Sequence, residues 1–121
     1  MSAGLFTIAS ITHENHTVKA VLQINVDDPI LKGHFPGHPV VPGASMLQVI
    51  KEVLEEALQT PLQLKKGTQL KFMNLVDPTK TTEVQVEVSY HMKEDGIHAN
   101  AKLSTGDTVC FKLQGTFTDQ R

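Results

Sequence analysis

Apolar residues recur along the chain with two periods. Val18, Ala20, Leu22 and Ile24 return at every second position, so Val18 to Asn25 is predicted as a strand with one covered face. The β-forming stretch Leu5 to Thr12 precedes it, and the polar His13-Glu14-Asn15-His16 turns one strand into the next. Asp27-Asp28-Pro29 breaks the alternation, because proline has no N–H to give to a sheet ladder. A loop dense in glycine and proline follows, with Gly33, Pro36, Gly37, Pro39, Pro42 and Gly43. Ala44 to Leu58 then lacks both residues and is rich in helix formers. Its first half, Ala44 to Ile50, is apolar nearly all round and is expected to be buried. Lys51, Glu52, Glu55 and Glu56 bring the second half into water, and Thr60-Pro61 ends the segment.

Period two returns after the helix, in four further strands. Leu70, Phe72, Asn74 and Val76 share a face of the first, and Val84, Val86, Val88 and Tyr90 a face of the second. Ile97, Ala99, Ala101 and Leu103 line the third, and Val109, Phe111, Leu113 and Phe117 the fourth. Asp95-Gly96 and Gly106-Asp107 suit tight hairpins between them. Such alternation implies an antiparallel sheet with one covered face. A single helix that is apolar all round needs a sheet curled about it. The predicted architecture is therefore α+β, a curled antiparallel β-sheet wrapped around a central α-helix. A bare sheet edge and the remaining helix face would favour a dimer.

Composition narrows the function classes. The chain has 121 residues, which suggests one domain over residues 1–121. Its formal net charge of −2 and its lack of clustered basic residues argue against a nucleic-acid surface. No apolar run is long enough to span a membrane, and Met1 to Ile11 lacks the pattern of a secretory signal, so a cytoplasmic protein is expected. Cys110 is the only cysteine, which excludes an intrachain disulfide, and it reads as a small buried side chain. His34 and His38 lack the accompanying acidic or cysteine ligands of a metal site, and no nucleotide-binding loop is present. His13 and His16 look like turn residues, and His91 and His98 flank a hairpin as solvent-facing groups.

The segment Gly33-His34-Phe35-Pro36-Gly37-His38-Pro39-Val40-Val41-Pro42-Gly43 carries the chemistry. Three prolines stiffen a loop that leads into the helix. Pro42 and Gly43 sit where backbone N–H groups lack helical partners, and those groups can polarise a carbonyl oxygen. A histidine held nearby can act as a base near neutral pH. This loop resembles that of the hot-dog 3-hydroxyacyl-acyl-carrier-protein dehydratases of fatty-acid synthesis. The resemblance extends back through Val18 to Asn25 and forward through Leu70-Lys71-Phe72 and Val76-Asp77-Pro78. The chain starts later than typical members, so the entrance to the acyl site is expected to be shaped differently.

The resemblance implies a hot-dog fold and a mechanism. His34 would take the proton alpha to the thioester carbonyl, the Gly43 N–H would hold the carbonyl oxygen, and an acid on the helix would protonate the departing hydroxyl. Phe35, Pro42, Met46 and Leu47 would line the substrate path. Base and acid would come from different subunits of a homodimer, the substrate would ride on an acyl carrier protein or coenzyme A, and no cofactor is implied. The acid falls fourteen positions after the histidine, where this sequence has Gln48. An amide can hydrogen-bond a hydroxyl but has no proton to supply, and loss of a general acid typically removes about 10²–10⁴-fold in rate. Glu52 lies one turn further along the same helical face, about 5.4 Å away along the axis, and is expected to be solvated. His38 could approach the site from the loop, and Asn74 could face the ligand or mark the sheet edge.

Two classes of function follow. One is an enzyme acting on acyl thioesters in fatty-acid, polyene or polyketide synthesis, either a dehydratase or a thioesterase that uses Gln48 to position substrate or water. The other is a non-catalytic acyl-carrier-binding subunit that pairs, as a heterodimer, with a homologue supplying the acid.

Overall fold

The computed structural model describes residues 5–29, 31 and 40–119. Two strands come first, β1 (Phe6–Glu14) and β2 (Thr17–Ile24), followed by the helix α1 (Gly43–Leu58). Four strands complete the chain: β3 (Leu62–Phe72), β4 (Glu83–Lys93), β5 (Gly96–Thr105) and β6 (Thr108–Asp119). They form one six-stranded sheet in the order β1-β2-β4-β5-β6-β3, and every neighbouring pair is antiparallel. The β1–β2 hairpin turns on Asn15 and His16, with φ of 53° and 58°. Two left-handed residues in a two-residue loop match the right-handed twist of the strands they join. Both histidines of this turn pack on the Tyr90 ring, and His13 Nε2 lies 2.6 Å from the Tyr90 hydroxyl.

The sheet curls so that α1 contacts β1 and β3, its two edge strands, as well as β2, β4 and β5. Alternation then sorts the side chains. Val18, Leu22, Val84, Val88, Leu103, Phe111 and Phe117 are wholly excluded from water on the helix side. From α1 they meet Met46, Val49, Ile50, Val53 and Leu54, the spacing of one helical face. Cys110 is buried and free, as its small apolar character suggested.

Two expectations are corrected. The first half of α1 is not buried all round: Ala44 and Gln48 are exposed and Leu47 only half-buried. One curved sheet covers one side of a helix, and the small or apolar residues on the far side made the pattern look uniform. The third strand is also displaced. It starts at Leu62 and ends at Phe72, so Asn74 and Val76 lie beyond it. Register shifts between Leu64 and Lys66 and between Gly67 and Gln69 spoil the alternation over its first half, which hid the strand start. After Phe72 the chain leaves the ladder through Met73 N–H to Cys110 C=O at 2.8 Å. Val76 is buried in the following loop, where its carbonyl accepts from the Val41 N–H at 2.9 Å.

Candidate active site

Helix α1 begins without a side-chain cap. Pro42 occupies the cap position in extended conformation and makes no side-chain cap hydrogen bond. The Ser45 and Met46 N–H groups donate to the Pro42 carbonyl, at 3.0 and 3.3 Å. Among the described residues, the Gly43 and Ala44 N–H groups are left without an acceptor at the positive end of the helix dipole. An oxygen that gains negative charge would be stabilised there.

A cavity of about 430 Å³ opens at this helix start. Val41, Pro42, Gly43 and Met46 form one side, and Phe72, Met73 and Leu75 the other. Its walls are mostly apolar side chains that a globular surface would normally hide: Phe72 is 56% and Leu75 76% exposed. Phe72 is held by stacking on the buried Phe111, with ring centroids 4.5 Å apart. Gly43 permits this arrangement, because a Cβ at that position would stand 2.7 Å from Phe72 Cε1. Asn74 also lines the cavity, and its Nδ2 donates to the Val109 carbonyl at 2.8 Å, so the side chain staples the chain where it leaves β3.

The structure thus brings together Pro42, Gly43 and Met46, three of the residues singled out from sequence. His34 and Phe35, together with His38, lie outside the described residues. Gln48 and Leu47 do not line this cavity. Five residues beyond Gly43, Gln48 is turned about 140° around the helix and displaced about 7.5 Å along it. Its side chain is exposed, and Nε2 donates to Glu52 Oε2 at 3.2 Å. Glu52, expected to be solvated, is half-buried and accepts an exposed hydrogen bond from Gln48. Phe72, Met73 and Leu75 were missed as site residues. Phe72 was read as part of the covered face of a strand and Met73 and Leu75 were given no role, whereas the strand ends at Phe72 and all three are exposed at the cavity. No described helix is long and apolar enough to cross a membrane.

Six antiparallel strands curled on one helix, with an apolar cavity at an uncapped helix start, define the hot-dog class of fold. Solved structures share it. One chain of the dehydratase heterocomplex ApeI:P from Xenorhabdus doucetiae superimposes with a TM-score of 0.74 over 93% of this chain and 96% of that one, at 14% identity. A putative thioesterase from Shewanella oneidensis gives 0.59 over 94% of this chain and 82% of its own, at 11% identity. Sequence relatives are closer. The 3-hydroxyacyl-(acyl-carrier-protein) dehydratase FabZ of Haemophilus influenzae strain 86-028NP is 30% identical over 105 residues, 80% of this chain and 71% of the relative. The same enzyme of Natranaerobius thermophilus is 28% identical over 109 residues, 84% of this chain and 76% of the relative. The family model described as ApeI dehydratase matches residues 10–110. The chain belongs to this ApeI-like family of hot-dog dehydratases.

Proposed function

We propose that this chain is a dehydratase-type subunit acting on 3-hydroxyacyl thioesters, and that its site is completed by a second hot-dog chain. The carrier of the acyl group is an acyl carrier protein or coenzyme A. In this reading the acyl chain enters the cavity between Met46 and Phe72, and the Gly43 N–H receives the thioester oxygen. His34 takes the alpha proton, and the carbon–oxygen bond at the 3-position breaks as the double bond forms. The hydroxyl leaves as water with a proton from a carboxyl group. Gln48 of this chain would face the equivalent hydroxyl in the site served by the partner's histidine, where an amide can hydrogen-bond the hydroxyl but cannot protonate it.

The observation that carries the proposal is the position of Gln48. It sits on the face of α1 turned away from the Gly43 cavity and open to a neighbour. Among the described residues, Gln48 does not line the cavity at Gly43. A partner chain with an acid at the equivalent place would supply the missing proton to the hydroxyl leaving a substrate held by this chain's His34 and Gly43. The solved relative that assembles as a dehydratase heterocomplex supports such an arrangement. A second reading, a non-catalytic subunit that only binds the acyl carrier, is favoured by the same missing acid.

The test is dehydration of a 3-hydroxyacyl-carrier-protein substrate by the purified chain beside Gln48→Glu and His34→Ala. The expected result is slow turnover by wild type, a gain of about 10²–10⁴-fold in Gln48→Glu, and none in His34→Ala. Silence from all three would favour the binding subunit. Equal activity in wild type and His34→Ala would overturn the dehydratase reading.

A further inference from the structure

The outward face of the sheet, opposite α1, carries a charge pattern that the acyl site does not use. Register aligns Lys71 with Lys112, Lys112 with Lys102, Lys102 with Glu87, and Glu87 with Lys19. Lys19, Glu87, Lys102 and Lys112 are each flanked along their strands by buried residues, and Lys71 continues the line on the edge strand, opposite Lys112 and beside the exposed Leu70 and Phe72, so these five side chains form one row across β3, β6, β5, β4 and β2. At one strand spacing per step the row is about 19 Å long. All four lysines are exposed. Lys102 reaches Glu87 at 3.8 Å, and among the described residues Lys71 and Lys112 have no ion-pair partner. Like charges directly opposite each other destabilise a sheet, and here three ammonium groups are consecutive. A chain of net charge −2 has gathered four positive charges and one negative on this line.

The row lies between two hollows. One, of about 280 Å³, is bounded by the row and by the parallel line Gln69, Gln114, Asn100 and Ser89. The other, of about 310 Å³, lies between the row and Ser10, Val21, Gln85 and Ser104. Amide and hydroxyl groups therefore flank the ammonium groups on both sides.

We propose that this outward face docks an acidic segment of a partner protein, whose carboxylates run along the lysine row. Charge complementarity selects the occupant. A second copy seated face to face would set lysines against lysines. A nucleic acid would find no aromatic side chain to stack on in the row or its flanking lines, and Glu87 would repel its phosphates.

The experiment uses the full chain and a fluorescent oligo-glutamate peptide, followed by anisotropy at low ionic strength. A single-stranded oligonucleotide is the second probe. Lys112→Glu is compared with Lys80→Glu, which makes the same charge change in the loop before β4. The expected result is oligo-glutamate binding by wild type, weakened about tenfold by Lys112→Glu and less than about twofold by Lys80→Glu. Lys112→Glu also makes the signs alternate along the row, so its Tm should rise while binding falls. A merely misfolded variant would lose both. Equal weakening by the two variants, no binding by wild type, or preference for the oligonucleotide would each overturn the proposal.

Discussion

The two faces of α1 have opposite fates within one chain. Met46, Val49, Ile50, Val53 and Leu54 are buried against the curled sheet, whereas Ala44 and Gln48 on the other side are exposed and Leu47 is half-buried at the margin of the core. The first face is fixed by packing, and its residues answer to the volume of the core. The second is free of that constraint. The cavity at Gly43 lies at the helix start beside Met46 of the buried face, and Gln48 lies on the other side.

The contrast is broken most strongly by Ile50→Ala. Ile50 is wholly excluded from water, so loss of its side chain should cost about 2–5 kcal/mol, read as a lower denaturant midpoint at unchanged slope. Gly43→Ala comes next. The added methyl must displace the Phe72 ring, at about 1–3 kcal/mol, and thermal unfolding together with acyl-thioester binding should both report the narrowed cavity. Gln48→Ala should change stability by less than about 0.5 kcal/mol, because it removes one exposed hydrogen bond. A larger loss would mean that the outer face is as constrained as the inner.

The smallest effect is electrostatic and remote from both faces. At the β4–β5 turn, the hydrogen bond from His98 at 2.7 Å holds the Asp95 carboxyl below its ordinary value, and nearby positive charge adds to it. A depressed carboxyl stabilises the fold above its unfolded pKa and loses that contribution as pH falls through the folded one. The Asp95→Asn variant should therefore differ slightly from wild type at neutral pH and converge with it below about pH 4. An NMR titration of the Asp95 side chain checks the direction.

Alternation in Val18 to Ile24, Val84 to Tyr90 and Ile97 to Leu103 was enough to place three strands and their inward faces. These strands pair without irregularity through the middle of the sheet, so period two survives intact. It failed at β3, where two register shifts and an edge position release the side chains from strict alternation. The helix was legible in extent but not in burial, since counting apolar residues does not show how many sides a sheet covers. Pro42 and Gly43 were legible as the start of the helix, because a proline and a glycine close the loop where the run of helix formers begins. Phe72, Met73 and Leu75 were not, because an apolar wall of a cavity and an apolar face of a core have the same composition.

Whether the two half-sites meet across chains is tested most directly by mixing two proteins that each lack one group. Wild type has His34 and no acid at position 48. The double variant His34→Ala, Gln48→Glu has the carboxyl and no base. Coexpressed so that subunits exchange, the pair should dehydrate a 3-hydroxyacyl-carrier-protein substrate faster than either alone, by about 10²–10⁴-fold over wild type. A mixture no faster than its components, beside an active Gln48→Glu chain that sediments as a monomer, would contradict a site shared between two chains.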